Sequence, residues 1–194
     1  NDGPAARQFQ LPVAGDRLEI LVDMMGRVNF GPEMCKERKG LVGPGSVQLG
    51  SPQTGPMRSL FGWDCVPLPM AEEDLAKLPW ASDRKAVSGK TWKRGPRFFL
   101  YNLPVRDPAD TFLTFEGFTK GFACVNGFNL GRYWNRGPQG SLYVPGALLK
   151  RGFNEVIVFD IDYPGGRRPV LRALPEATWT SSLPTGARQA FTDA

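Results

Sequence analysis

Four residues, Val125-Asn126-Gly127-Phe128, constrain this chain more than any other stretch of it. A type I′ turn requires positive φ at both central residues. Asn and Gly tolerate that, so Asn-Gly between two apolar runs predicts a two-residue β-hairpin. Such a turn pairs Val125 with Phe128. Side chains alternate with a period of two along a strand. Ala123, Val125, Phe128 and Leu130 therefore share one face, and Phe122, Cys124, Asn129 and Gly131 the other. The first set is the natural core face, and Arg132 and Trp134 are expected to continue it toward the rim of the sheet. Gly131, with no side chain, is expected to admit a close neighbour or to mark a bulge.

Other short apolar runs lie on both sides of this hairpin, with turn signals between them. Arg17-Leu-Glu-Ile-Leu-Val-Asp23 alternates as a strand, Arg27 to Phe30 reads as a short one, and Gly40 to Leu49 and Leu60 to Leu68 as two more. Met70 to Leu78 is the one convincing helix, stopped by Pro79. Ala81 to Gly95 is polar and basic, as a linker or long loop would be. Strands then follow at Arg97 to Tyr101, Thr111 to Phe115, Ser141 to Val144 and Glu155 to Asp160. Gly (23) and Pro (18) are scattered through the chain, which suits many strands joined by turns. The pattern predicts an all-β fold, an antiparallel sandwich or jelly roll with one short helix.

Gln10 to Asp23 echoes Tyr143 to Asp160: apolar-Pro, a corner, Gly, a polar pair, then an apolar strand ending in Asp. The echo suggests parts of two related sandwiches. The expected organisation is a partial first sandwich over 1–68, a helix and linker over 69–95, a jelly roll over 96–175 and a tail over 176–194. A repeat of the hairpin should precede Leu11, and ten residues cannot supply it. The chain is therefore expected to begin partway through its first sandwich, as a fragment. Leu18, Ile20 and Val22 would then be covered by the second sandwich or by another copy of the chain.

Composition removes several kinds of chemistry. With no histidine there is no His-based triad, His general base or histidine-ligated zinc. The three cysteines, Cys35, Cys65 and Cys124, form no Cys-x-x-Cys pair, so neither a metal site nor another cofactor is expected. The net charge of +5 raises nucleic acid as a partner, but the basic residues are dispersed. Lys36, Arg38 and Lys39 alternate with Glu33 and Glu37, so no nucleic-acid partner is expected. No apolar run reaches membrane length, so no membrane partner is expected. The odd cysteine count, the lack of an Asn-x-Ser/Thr sequon and the lack of a signal-peptide pattern favour a soluble, cytoplasmic protein.

Arg132, Tyr133 and Trp134 have two readings. As a carbohydrate-binding platform, their rings would stack on the apolar side of a sugar while the guanidinium hydrogen-bonds its hydroxyls. As structure, Trp134 would cap the core and Arg132 would pair with Glu116 or Asp160. Trp63, Trp80 and Trp92 read mainly as core or linker anchors. Glycosidase chemistry needs two carboxyl groups roughly 5 to 9.5 Å apart across the scissile bond. Glu33 with Glu37, and Asp160 with Asp162, are the pairs available, and neither carries a pocket signature, so both read as surface acids.

Lys120-Gly-Phe-Ala-Cys-Val-Asn-Gly-Phe-Asn-Leu-Gly-Arg-Tyr-Trp134, Gly137-Pro-Gln139, Leu142-Tyr-Val-Pro145 and Asn154-Glu-Val-Ile-Val-Phe159 closely resemble the C-terminal β-sandwich of glycoside hydrolase family 35 β-galactosidases. Leu18 to Val22, Met25 to Gly31, Arg38 to Gly40, and Trp63 with Pro67-Leu68 resemble that family's preceding β domain. The resemblance implies galactose-binding-like jelly rolls attached to a catalytic barrel. In that family the catalytic glutamates lie in the barrel, so no catalytic residue transfers to this chain, which should be inactive alone. The implied role is to support the barrel of a parent enzyme that hydrolyses terminal β-D-galactosyl residues. The rival is an independent galactose-binding module. The partners expected are the barrel, galactosides and another copy of the chain.

Overall fold

The computed structural model describes residues 17–24, 26, 29–37, 39–41, 46–48, 55–80, 92–166 and 168–179. The chain divides into two compact units, Asn1–Pro67 and Leu68–Ala194.

In the first unit, β1 (Ser46–Gln48) pairs antiparallel with β2 (Met57–Ser59). Gly31 to Glu37 folds into a helical turn in which the Glu37 N–H reaches the Glu33 carbonyl at 3.1 Å. Residues 17–23 form no strand, and Leu18, Ile20 and Val22 stand 40%, 45% and 43% exposed. Alternation alone makes no strand: the ladder hydrogen bonds must come from a neighbour. The run expected over Leu60 to Leu68 also forms no strand; β2 lies just before it. Residues 27 and 28, the linker residues 81–91, the start of the internal echo (10–16) and the tail beyond 179 lie outside the described residues.

The second unit holds two antiparallel sheets. One has the order β3 (Gly95–Val105), β8 (Gly152–Tyr163), β5 (Lys120–Val125), β6 (Phe128–Trp134). The other has the order β7 (Ser141–Val144), β4 (Thr111–Glu116), β9 (Val170–Leu174). Their facing residues make the core: Phe99, Ala123, Val125, Val156 and Val158 from the first sheet, Leu113, Leu142 and Val144 from the second. Phe118, on the β4–β5 turn, packs edge-on against Phe99, Phe115 and Tyr133 at 5.2, 5.9 and 5.7 Å. Each fully buried Val, Leu or Phe stabilises the fold by roughly 1.5–3 kcal/mol. This is the antiparallel jelly-roll sandwich that the strand spacing predicts.

A second, smaller cluster lies on the outer face of the four-stranded sheet. There α1 (Glu72–Ala76) sets the buried Leu75 against Cys124 of β5 and Ile157 of β8. The helix is shorter than the Met70 to Leu78 expected. Met70 takes a positive φ of 55° and Ala71 is extended, so the helix begins only at Glu72. Glu72, Glu73 and Asp74 fill its first turn, where carboxylates meet the positive end of the helix dipole.

Candidate functional site

The hairpin of β5 and β6 brings the sequence-predicted residues together. Val125 pairs with Phe128 across Asn126 and Gly127, whose φ values are 48° and 85°. Farther along, the register shifts: Cys124 opposes Asn129 while Ala123 opposes Gly131, so Leu130 is an extra residue on β6. Gly131 has φ +105°, which a side chain would strain, and its N–H is held by Asn129 Oδ1 at 2.8 Å. The glycine thus marks a bulge, one of its two expected roles.

That single residue reverses the faces expected for the end of β6. Tyr133, not Trp134, turns into the core, where it is 6% exposed and stacks on Phe115 at 4.3 Å. Arg132 and Trp134 turn outward and are exposed, Trp134 by 40%. Phe128 is also exposed, although Ala123 and Val125 are buried as the alternation requires.

Cross-strand partners share a face. Phe98 pairs with Phe159, Phe159 with Phe122, Phe122 with Arg132, and Lys120 with Trp134. The ring centroids of Phe98 and Phe122 lie 4.6 and 5.6 Å from that of Phe159. The outer face therefore carries a band of three phenylalanines that ends in a guanidinium and an exposed indole. Phe98, Phe122 and Trp80 also pack against the cluster beneath α1. Such a surface can stack on an apolar ring face and donate hydrogen bonds to hydroxyls.

Beneath it, Tyr133 and Asp160 form a buried polar centre. Asp160 is fully buried, contrary to its reading as a surface acid. Its carboxylate accepts the Thr119 N–H and hydroxyl, both at 2.6 Å, and the Asp162 N–H at 3.0 Å. The Tyr133 hydroxyl donates to the Phe159 carbonyl at 2.9 Å, with Asp160 Oδ2 at 3.2 Å. Burial, and then the Asp160 carboxylate, hold the Tyr133 phenol far above its ordinary range. Burial and Glu72 push the Cys124 thiol up to about 11. Neither group offers a neutral-pH nucleophile or base.

The other acids singled out in the sequence are engaged with cations. Asp162 meets Arg94 at 3.1 Å, Glu33 meets Lys36 at 3.3 Å, and Glu37 meets Lys39 at 3.0 Å. Glu116 meets Arg172 at 3.3 Å. Trp92 stacks on Phe99 at 5.4 Å, while Trp63 is 44% exposed.

At the tip of the hairpin, Asn126 does more than turn the chain. Its Nδ2 donates to the Leu148 carbonyl at 2.7 Å and to Asn154 Oδ1 at 2.8 Å, and its Oδ1 accepts the Glu155 N–H at 3.1 Å. Asn154, fully buried, also bonds the Lys150 N–H and carbonyl, both at 2.8 Å. Sequence reasoning missed Asn154. Its one signal is an amide at an inward position of β8, followed on the same face by Val156 and Val158.

Residues 96–154, from β3 through the hairpin to the start of β8, match the model of the β-galactosidase galactose-binding domain. Residues 6–69 match that of the first all-beta domain of β-galactosidases. The chain belongs to the β-galactosidase family. Both matched domains are non-catalytic parts of β-galactosidase-like proteins. Beta-galactosidase 1 of Dictyostelium discoideum is 39% identical over 146 residues, 74% of this chain and 20% of that protein. The beta-galactosidase of Xanthomonas manihotis is 41% identical over 137 residues, 71% of this chain and 20% of its own length. Beta-galactosidase-1-like protein 2 of Homo sapiens is 40% identical over 144 residues, 74% of this chain and 21% of its own. The chain thus spans about a fifth of the length of these family members.

Proposed function

We propose that this chain is the β-sandwich region that supports the catalytic barrel of a β-galactosidase, the parent enzyme hydrolysing terminal β-D-galactosyl residues. The observation that carries this reading is the order of the two matched domains, the first all-beta domain and then, after residues 70–95, the galactose-binding domain. The chemistry agrees with it. The four acids singled out in the sequence, Asp160 and Asp162 and Glu33 and Glu37, are held by cations or backbone donors, so neither pair stands as a free acid facing a nucleophile. The domain boundaries that go with it are a partial first sandwich over 1–68, helix and linker over 69–95, the jelly roll over 96–175 and a tail beyond. The purified chain should not turn over a nitrophenyl β-galactoside. Turnover that is lost in the double substitution Arg132→Ala, Trp134→Ala, and so does not come from a contaminating enzyme, would refute the scaffold role.

A second reading, a galactose-binding module, is favoured by one observation: Arg132 and Trp134 lie exposed beside the outer phenylalanine band. It requires a saturable change in tryptophan fluorescence with galactose that is lost in Trp134→Ala. A flat titration leaves the scaffold reading alone.

A further inference from the structure

We infer that Asn126 is a conformation-gated deamidation site, inert in the folded hairpin and reactive once the hairpin opens. Asn126-Gly127 is the one Asn-Gly pair in the chain. Glycine, lacking Cβ, leaves its backbone nitrogen free to approach the preceding side chain. In the reaction the Gly127 nitrogen attacks Cγ of Asn126, the Cγ–Nδ2 bond breaks, and Nδ2 leaves as ammonia with the proton from the Gly127 nitrogen. Water then opens the resulting succinimide at either carbonyl, giving aspartate or an isoaspartyl linkage. Nothing is oxidised or reduced.

The fold blocks the first step. To swing Cγ onto the Gly127 nitrogen, the amide must release the Leu148 carbonyl, Asn154 Oδ1 and the Glu155 N–H together. The Asn126 N–H, bonded to the Glu155 carbonyl at 2.9 Å, fixes the backbone as well. Space is also short on the glycine side, where a Cβ at Gly127 would lie 2.3 Å from Glu72 Oε1. Opening is thus needed before reaction, and the rate follows the open population.

The product cannot rebuild the clasp. An aspartate at this position has no donor for the Leu148 carbonyl or for Asn154 Oδ1, and it sets a carboxylate against both acceptors. An isoaspartyl linkage adds a backbone methylene to a two-residue turn. Each opening therefore carries a chance of becoming permanent, and the modification records the chain's history of unfolding.

The test uses the full 194-residue chain, incubated in mildly alkaline buffer with and without denaturing urea and followed by peptide mass mapping at Asn126. Deamidation should run at least roughly tenfold faster in urea than in native buffer. On dilution from urea, the modified molecules should be depleted from the refolded fraction. Asn126→Asp, which supplies one product directly, should unfold at lower urea than the wild type or fail to fold. Equal rates in the two buffers, or an Asn126→Asp protein as stable as the wild type, would overturn the inference.

Discussion

Gly121 is the residue on which the most depends for its size. A Cβ there would lie 1.7 Å from the Phe159 carbonyl oxygen and 3.1 Å from the Tyr133 hydroxyl. The bare backbone at Gly121 is what lets the phenol reach that carbonyl. Gly121→Ala should therefore cost about 3 kcal/mol or abolish folding, because backbone rather than a flexible side chain must move. Tyr133→Phe keeps the stacked ring and loses only the hydroxyl, so it should cost about 1 kcal/mol. Urea unfolding of both variants checks the order; a milder loss for Gly121→Ala would contradict the packing. Legibility also differs residue by residue here. The Asn-Gly turn and its Val125–Phe128 pair were readable, because turn chemistry is local. The burial of Asp160 was not, because its partner Thr119 lies 41 positions away in sequence and no local pattern reveals the match.

Among the elements, strands β3 to β8 follow the sequence pattern closely, since each apolar run has a paired neighbour within the same sandwich. Three things escape it, the first being β9 (Val170–Leu174), a strand not expected from the sequence. Residues 17–23 alternate convincingly yet pair with no strand, because pairing belongs to the sheet and not to the segment. The bulge at Leu130 inserts one residue, and with a side-chain period of two, one residue exchanges the faces of everything after it. The helix α1 offers a test of its own packing. Cys35 and Cys65 are exposed and Cys124 is buried under Leu75. A thiol reagent at neutral pH should modify the first two quickly and Cys124 only after unfolding, since the thiolate is the reactive form and burial disfavours it. Leu75→Ala should destabilise the chain by about 2–3 kcal/mol and hasten the modification of Cys124. A Cys124 that reacts as fast as the other two in the wild type would show that the helix does not cover it.

For the molecule as a whole, the buried phenols set an alkaline limit. Tyr101 ordinarily titrates near 10 and is pushed up to about 12, chiefly by burial, with Arg168 pulling the other way; Tyr133 is raised in the same direction. A phenol with a raised folded-state pKa adds stability that is complete below the unfolded value and is lost as pH climbs through the folded one. Urea midpoints should thus be flat up to about pH 10 and fall between 10 and 12. Tyr101→Phe should make that fall shallower; an unchanged profile would remove Tyr101 as its source. The division at Pro67 gives a second whole-molecule expectation. A chain beginning at Leu68 should fold cooperatively, because both hydrophobic clusters lie within it. The bulge in β6 has a last consequence, one of solubility. This strand ends its sheet, and a regular outer strand presents a ladder of unpaired backbone groups on which a second molecule can template. The kink at Leu130 breaks that ladder in mid-strand. Deleting Leu130 would straighten the edge and turn Trp134 inward, and fibrils rather than simple unfolding should be its signature.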